Sequence, residues 1–176
     1  MTDLEKEMWW VVSLDILDDY YPMTTGFEEI RKKRDGSMAP HGGYDFGATQ
    51  GTKIYVPSVV GAEGLSIDFV WERKDPNDSA GWFVILKGVD ELGQKVEWQF
   101  NHMSEYNPFI TSKAGDKRIR QATPGMILGL VGNTGKSSAS HLDVKLKVNG
   151  KHYPIVQYYK DIEIAREKTT KEVLDE

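Results

Sequence analysis

TPGMILGLVGNTGKSSASHLDVKLKVNGK, residues 123–151, contains the pattern that decides the fold. Within it HLDVKLKV alternates apolar and polar residues. Side chains alternate across a strand, so Leu142, Val144, Leu146 and Val148 share one face and His141, Asp143, Lys145 and Lys147 the other. Asn149-Gly150, the pair favoured in a two-residue hairpin turn, follows and leads into KHYPI. MILGLV just upstream is a second β-rich run. Further out lie KIYVPSVV, LSIDFVW, GWFVILKG and KVEWQF, each bounded by Gly, Asp, Asn or Pro. LSIDFVW is expected to place Leu65, Ile67, Phe69 and Trp71 on one face and Ser66, Asp68 and Val70 on the other. Many short strands with tight turns and little helix predict a mainly β domain, with an antiparallel, sandwich-like or barrel-like sheet and short hairpins.

The flanks are less regular. Residues 1–25 are rich in aromatics without clean periodicity and suggest a short helix followed by an irregular segment. Residues 26–50 combine the basic cluster Arg31, Lys32, Lys33 and Arg34 with SMAPHGGYDFGATQG, which reads as loop, the cluster being a solvated turn. The charged end DIEIAREKTTKEVLDE suits a solvated C-terminal helix. No internal repeat appears. The chain divides into an N-terminal extension over 1–21, one domain over 22–157 and a charged tail over 158–176.

Composition narrows the chemistry. The 176 residues carry a formal charge of −5, which discounts nucleic acid as a partner. No stretch approaches the ~20 apolar residues of a membrane-spanning helix, so no membrane insertion is expected. MTDLEKEMWWVVSLDILDD lacks the basic region and long apolar run of a secretory signal, so none is expected in this chain. Cysteine is absent and histidine numbers four, which excludes thiol nucleophiles and Cys-based zinc sites.

Three of the four histidines stand near other donors. His41 precedes Asp45 by four residues, His102 follows KVEWQF, and His141 sits two residues before Asp143 on the same strand face. Zinc accepts imidazole nitrogen and carboxylate oxygen, and a catalytic ion commonly has three protein ligands. His41, Asp45 and one member of the His141/Asp143 pair would supply three; chance proximity of polar residues is the plain alternative. Gly132 to Ser137 ends like a phosphate-binding loop, but position 130 is Leu where that loop needs Gly. A β-run also follows it where a helix is needed. Ser140, His141 and Asp143 cannot form a serine-hydrolase triad, since neighbours on a strand point to opposite faces and no Gly-x-Ser-x-Gly elbow exists.

Taken together, four segments resemble the lysostaphin-type (LytM-like) zinc metalloendopeptidases, peptidase family M23. YPMTTGFEEIRKKRDGSMAPHGGYDFGA resembles the family opening that leads into His-x-x-x-Asp, and GTKIYVPSVVGAEG its Gly-Thr run ending in Pro. QFNHMSEY is similar to its Tyr-x-His-(Leu or Met)-Ser, and TPGMILGLVGNTGKSSASHLDVKLKVNGK to the stretch through Gly-Asn-Thr-Gly to His-x-His. The resemblance covers residues 22–157, which makes that segment a LytM-like peptidase domain. It implies that His41 and Asp45 are metal ligands and that His102 and His141 are catalytic, handling protons and stabilising the oxyanion. The third ligand, His in the family, is Asp143 here.

That departure changes the expected site. Asp oxygen binds zinc at about the distance of His nitrogen, ~2.0–2.2 Å, but its side chain is shorter. A second carboxylate adds negative charge, weakens zinc as a Lewis acid, and suits the harder Mn²⁺ or Ca²⁺, or no ion. The resemblance implies hydrolysis of peptide cross-links in bacterial peptidoglycan, with the substrate extended in a groove that Tyr44 and Trp98 would line. The place of action would be the bacterial cell wall, extracellular or on a phage virion. The alternative is a catalytically degenerate LytM-like module that binds partners in a virion or cell-wall complex.

Overall fold

A computed structural model describes residues 1–33, 35–71, 80–135, 137 and 139–175. Helix α1 (Asp3–Leu17) starts at a capping box: the Thr2 hydroxyl accepts the Glu5 N–H at 3.0 Å, and the Glu5 carboxylate accepts the Thr2 N–H at 2.8 Å. It ends at Asp18, in the left-handed region. Its inner face, Met8, Trp9, Val12 and Ile16, is buried, whereas Trp10, Val11 and Leu14 are exposed. These outward apolar residues hide the helical period in the sequence.

Strands follow in chain order: β1 (Met23–Thr25), β2 (Ile30–Lys32), β3 (Met38–Pro40), β4 (Tyr44–Phe46), β5 (Lys53–Tyr55), β6 (Leu65–Val70), β7 (Trp82–Val89), β8 (Lys95–Tyr106), β9 (Gln121–Ala122), β10 (Ile127–Val131), β11 (Leu142–Val148) and β12 (Lys151–His152). Helix α2 (Ile155–Leu174) closes the order. The predicted antiparallel β domain is present. Among the described residues, ten strands form one antiparallel sheet in the order β1-β4-β11-β8-β7-β6-β9, with β10 against β5 and β8 and β12 against β11. β2 and β3 form a separate hairpin. The region 26–50, expected to be loop, thus contributes β2, β3 and β4.

One face of the sheet is apolar. Val96, Trp98 and Phe100 of β8, Leu142, Val144 and Leu146 of β11, and Val84 and Leu86 of β7 are all buried. Trp9 of α1 packs on it, its ring centroid 4.5 Å from Phe46 and 5.7 Å from Tyr44. Tyr158 of α2 meets Trp98 edge-on at 5.9 Å and donates its hydroxyl to buried Asp90 at 2.6 Å. Both helices therefore belong to the same core as the sheet. No described helix is long and apolar enough to cross a membrane.

The predicted alternation holds along β11 and the Asn149-Gly150 turn, both of whose residues have positive φ (51° and 83°). It fails in β6. The register against β7 shifts between Ile67 and Phe69, and this bulge turns Val70 inward and Phe69 outward. An extra residue in one strand reverses the facing of everything after it, which corrects the faces expected for LSIDFVW.

Candidate metal centre

Strand register brings three polar residues together on the face opposite the helices. Asp143 of β11 pairs with Asp45 of β4 on one side and with Asn101 of β8 on the other. In β4, Tyr44 and Phe46 point toward Trp9, so Asp45 between them points away. His41 lies on the loop before β4, where its N–H donates to the Glu29 carbonyl at 2.8 Å. Gly43 allows this loop to lie on β11: a Cβ there would stand 2.6 Å from the Val144 carbonyl and 2.7 Å from Lys145 Cγ.

The result is a tight cluster. His41 Nε2 lies 3.3 Å from Asp45 Oδ1 and 3.2 Å from Asp143 Oδ1, and all three residues are buried. None of these three inner atoms has a hydrogen-bond partner. Ligands on a tetrahedral ion at ~2.0–2.2 Å stand about 3.4 Å apart, close to these separations. Buried polar groups in folded proteins are nearly always paired. Three converging orphan donors of the right chemistry therefore fit a divalent cation.

The outer oxygens are occupied. Asp143 Oδ2 accepts from Asn101 Nδ2 at 3.2 Å and lies 4.0 Å from Lys145 Nζ. Burial raises the Asp143 pKa, but His41, Lys145 and Asn101 outweigh it and bring the carboxyl down to about 2. Asp45 Oδ2 accepts from the Arg31 guanidinium, which also donates to the Thr25 hydroxyl at 2.9 Å. This corrects the expectation of a solvated basic turn: Lys32 and Lys33 are exposed, but Arg31 on β2 reaches into the cluster. Arg34 lies outside the described residues.

Two histidines flank the cluster. His102 sits in β8 at a positive φ of 61°, and the register against β7 shifts across it. The bulge makes it the extra residue, so Asn101 and His102 both escape the core side while Met103 returns to it. His102 Nδ1 bonds the Thr134 carbonyl at 2.6 Å, and His141 Nδ1 bonds the Ala139 carbonyl at 2.8 Å. A carbonyl only accepts, so each Nδ1 carries the proton and each Nε2 is left as an acceptor. The rings lie 4.7 Å apart, and His141 Nε2 is 4.0 Å from Asp45 Oδ1. Burial lowers the His102 pKa, and the like charge of a protonated His141 adds to this, against the Thr134 carbonyl and the two carboxylates. Beside His141 opens a cleft of about 390 Å³ lined by Thr24, Arg31, Asp45, Ser137 and Ser140.

Five of the seven residues singled out from sequence therefore meet here. Tyr44 and Trp98 do not. They are 1% and 0% exposed and belong to the core beneath the helices, so neither lines the cleft beside His141. Their strand parity decides this, since each alternates with the site-facing Asp45 or Gln99. Thr134 was not singled out. Its hydroxyl donates to the Met103 carbonyl at 2.7 Å and accepts the Trp82 N–H at 3.0 Å, tying the loop that holds His102 to β7 and β8. Arg31 falls in the basic cluster and Thr134 in Gly-Asn-Thr-Gly, but both lie far in sequence from what they hold, and neither pattern names the contact.

Solved structures similar to this one repeat the same architecture. The catalytic domain of lysostaphin, an antimicrobial peptidase from Staphylococcus simulans, superposes with a TM-score of 0.56 at 22% identity, over 80% of this chain and 92% of that domain. The chain has the lysostaphin-type peptidase fold. A zinc-containing peptidase from Vibrio cholerae matches this fold with a TM-score of 0.56 at 20% identity over 78% of the chain. Helicobacter pylori Csd3 matches with 0.53 at 20% identity over 87%. The chain spans 36% of the Vibrio protein and 40% of Csd3. No family profile and no curated protein matches the sequence. A lysostaphin-type fold shared at this identity identifies the architecture, and the chemistry rests on the residues of the site.

Proposed function

We propose that the chain is a metal-dependent endopeptidase that hydrolyses peptide cross-links of bacterial peptidoglycan, and so acts at the cell wall. The observation that carries this is the convergence of the orphaned His41 Nε2, Asp45 Oδ1 and Asp143 Oδ1 beside two histidines of fixed tautomer. A divalent cation held by those three atoms would supply Lewis-acid polarisation of a scissile carbonyl and of a water. The chain's own groups do the rest. His141, beside the cluster, would accept the proton of the attacking water at Nε2 and deliver it to the leaving amine. His102, kept neutral by burial with its Nδ1–H on Thr134, would offer its Nε2 lone pair to the attacking water and help orient it. The cleft past Thr24 and Ser140 offers room for an extended peptide strand. The lysostaphin-type fold supports the substrate class.

Purified peptidoglycan from bacteria of several cross-bridge types, incubated with the protein and Zn²⁺ or Mn²⁺, tests this reading. New amino termini should appear with wild type, vanish on chelation, and fall at least ~100-fold in His102→Ala. Metal uptake without any cleavage would instead assign a non-catalytic wall-binding or virion module.

A further inference from the structure

Asp143 replaces an imidazole by a second carboxylate, and two carboxylates buried side by side repel unless cations offset them. The structure shows where the offset comes from. Each carboxylate is divided in the same way, its inner Oδ1 orphaned and facing His41, its outer Oδ2 taken up by positive charge. On Asp45 that charge is the Arg31 guanidinium, anchored on Thr25 and carried by the β2–β3 hairpin. On Asp143 it is Lys145, 4.0 Å away and two residues along the same strand face, with the Asn101 amide filling the remaining position.

We propose that Arg31, with Lys145 in support, is a charge-compensating positioning residue that makes a two-carboxylate metal centre workable in this fold. This rests on the metal-binding reading above. The formal charge of His41, Asp45 and Asp143 is −2, and the two cations bring the surroundings back to neutral. A bound divalent ion then keeps its full polarising charge, and the empty cluster stays folded. Arg31 is the stronger of the two. It makes direct hydrogen bonds through a planar fork, whereas Lys145 stands 4.0 Å from its carboxylate.

Compensation and simple scaffolding predict opposite signs. If Arg31 only held Asp45 in place, its loss would loosen metal binding. If it compensates charge, its loss removes a cation near the ion and tightens binding. Competition titrations with a chromophoric chelator at low ionic strength should show Arg31→Gln binding Zn²⁺ about tenfold more tightly than wild type. Lys145→Gln should move the same way by less, and Arg31→Lys should stay within about threefold of wild type. The Arg31→Gln gain should shrink in high salt. Unchanged or weaker binding in Arg31→Gln would overturn the inference while leaving the metal centre standing. A wild type that binds no ion would instead overturn the metal reading. Compensation is then judged on the metal-free chain. There Arg31→Gln should lower the urea midpoint in the wild-type background and less so with Asp143→Asn, whereas equal losses in both backgrounds would refute it.

Discussion

His102 bonds the Thr134 carbonyl through Nδ1, 2.6 Å away, in surroundings where burial disfavours the imidazolium. Its folded pKa therefore lies below the unfolded value near 6.5. Between those two values the unfolded chain binds a proton here that the folded chain does not. Stability from this group is thus full above about pH 6.5 and is lost as pH falls toward the folded pKa. In chelator, urea midpoints should drop between pH 7.5 and 5.5, and drop less in His102→Gln, whose amide can still donate to Thr134. Equal drops would contradict the assignment. At the metal cluster, Asp143→Ala removes one of three inner donors, and Zn²⁺ affinity should fall more than ~10-fold by titration. The site's ligand positions were legible because His41 and Asp45, and His141 and Asp143, sit at spacings that geometry can bring to one place. The partners of their outer atoms were not. Arg31 reaches Asp45 across 14 positions and Thr134 reaches His102 across 32, and no periodicity connects them.

Elements carry the site by register rather than by loops. β4, β11 and β8 lie side by side, and their pairing alone aligns Asp45, Asp143 and Asn101. β11 was readable because one face is wholly buried and a one-residue slip would expose all of it. β4 reads as loop in the sequence because three residues, Tyr44-Asp45-Phe46, are too few to show alternation. The bulges in β6 and β8 left no trace in residue type, yet the second creates the site by turning His102 out of the core. Contact between the His41 loop and β11 should be intolerant of added volume. Gly43→Ala would drive a methyl into the Val144 carbonyl 2.6 Å away, costing about 1–3 kcal/mol in urea unfolding and weakening metal affinity with it. A Gly43→Ala chain as stable and as metal-avid as wild type would refute that packing. Trp9→Ala should cost about 3–5 kcal/mol, because α1 loses its anchor on Phe46 and Tyr44. That variant should retain its metal affinity where it remains folded, since Trp9 lies on the opposite face.

Across the whole molecule the sheet separates two tasks. Its apolar side, covered by α1 and α2, supplies the core, and its polar side supplies Asp45, Asp143, Asn101 and the two histidines. The net charge of −5 gives no general attraction to an anionic wall polymer, so recognition of such a substrate would depend on the local cleft and its Arg31. On the metal-binding reading, His41, Asp45 and Asp143 form one centre. Elemental analysis of the full chain, dialysed against Zn²⁺ or Mn²⁺ and then against metal-free buffer, addresses it directly. One ion per wild-type chain is expected, and none in His41→Ala, Asp45→Ala or Asp143→Ala variants that retain the wild-type circular dichroism. A wild-type chain without metal, or folded alanine variants that hold as much metal as wild type, would contradict it.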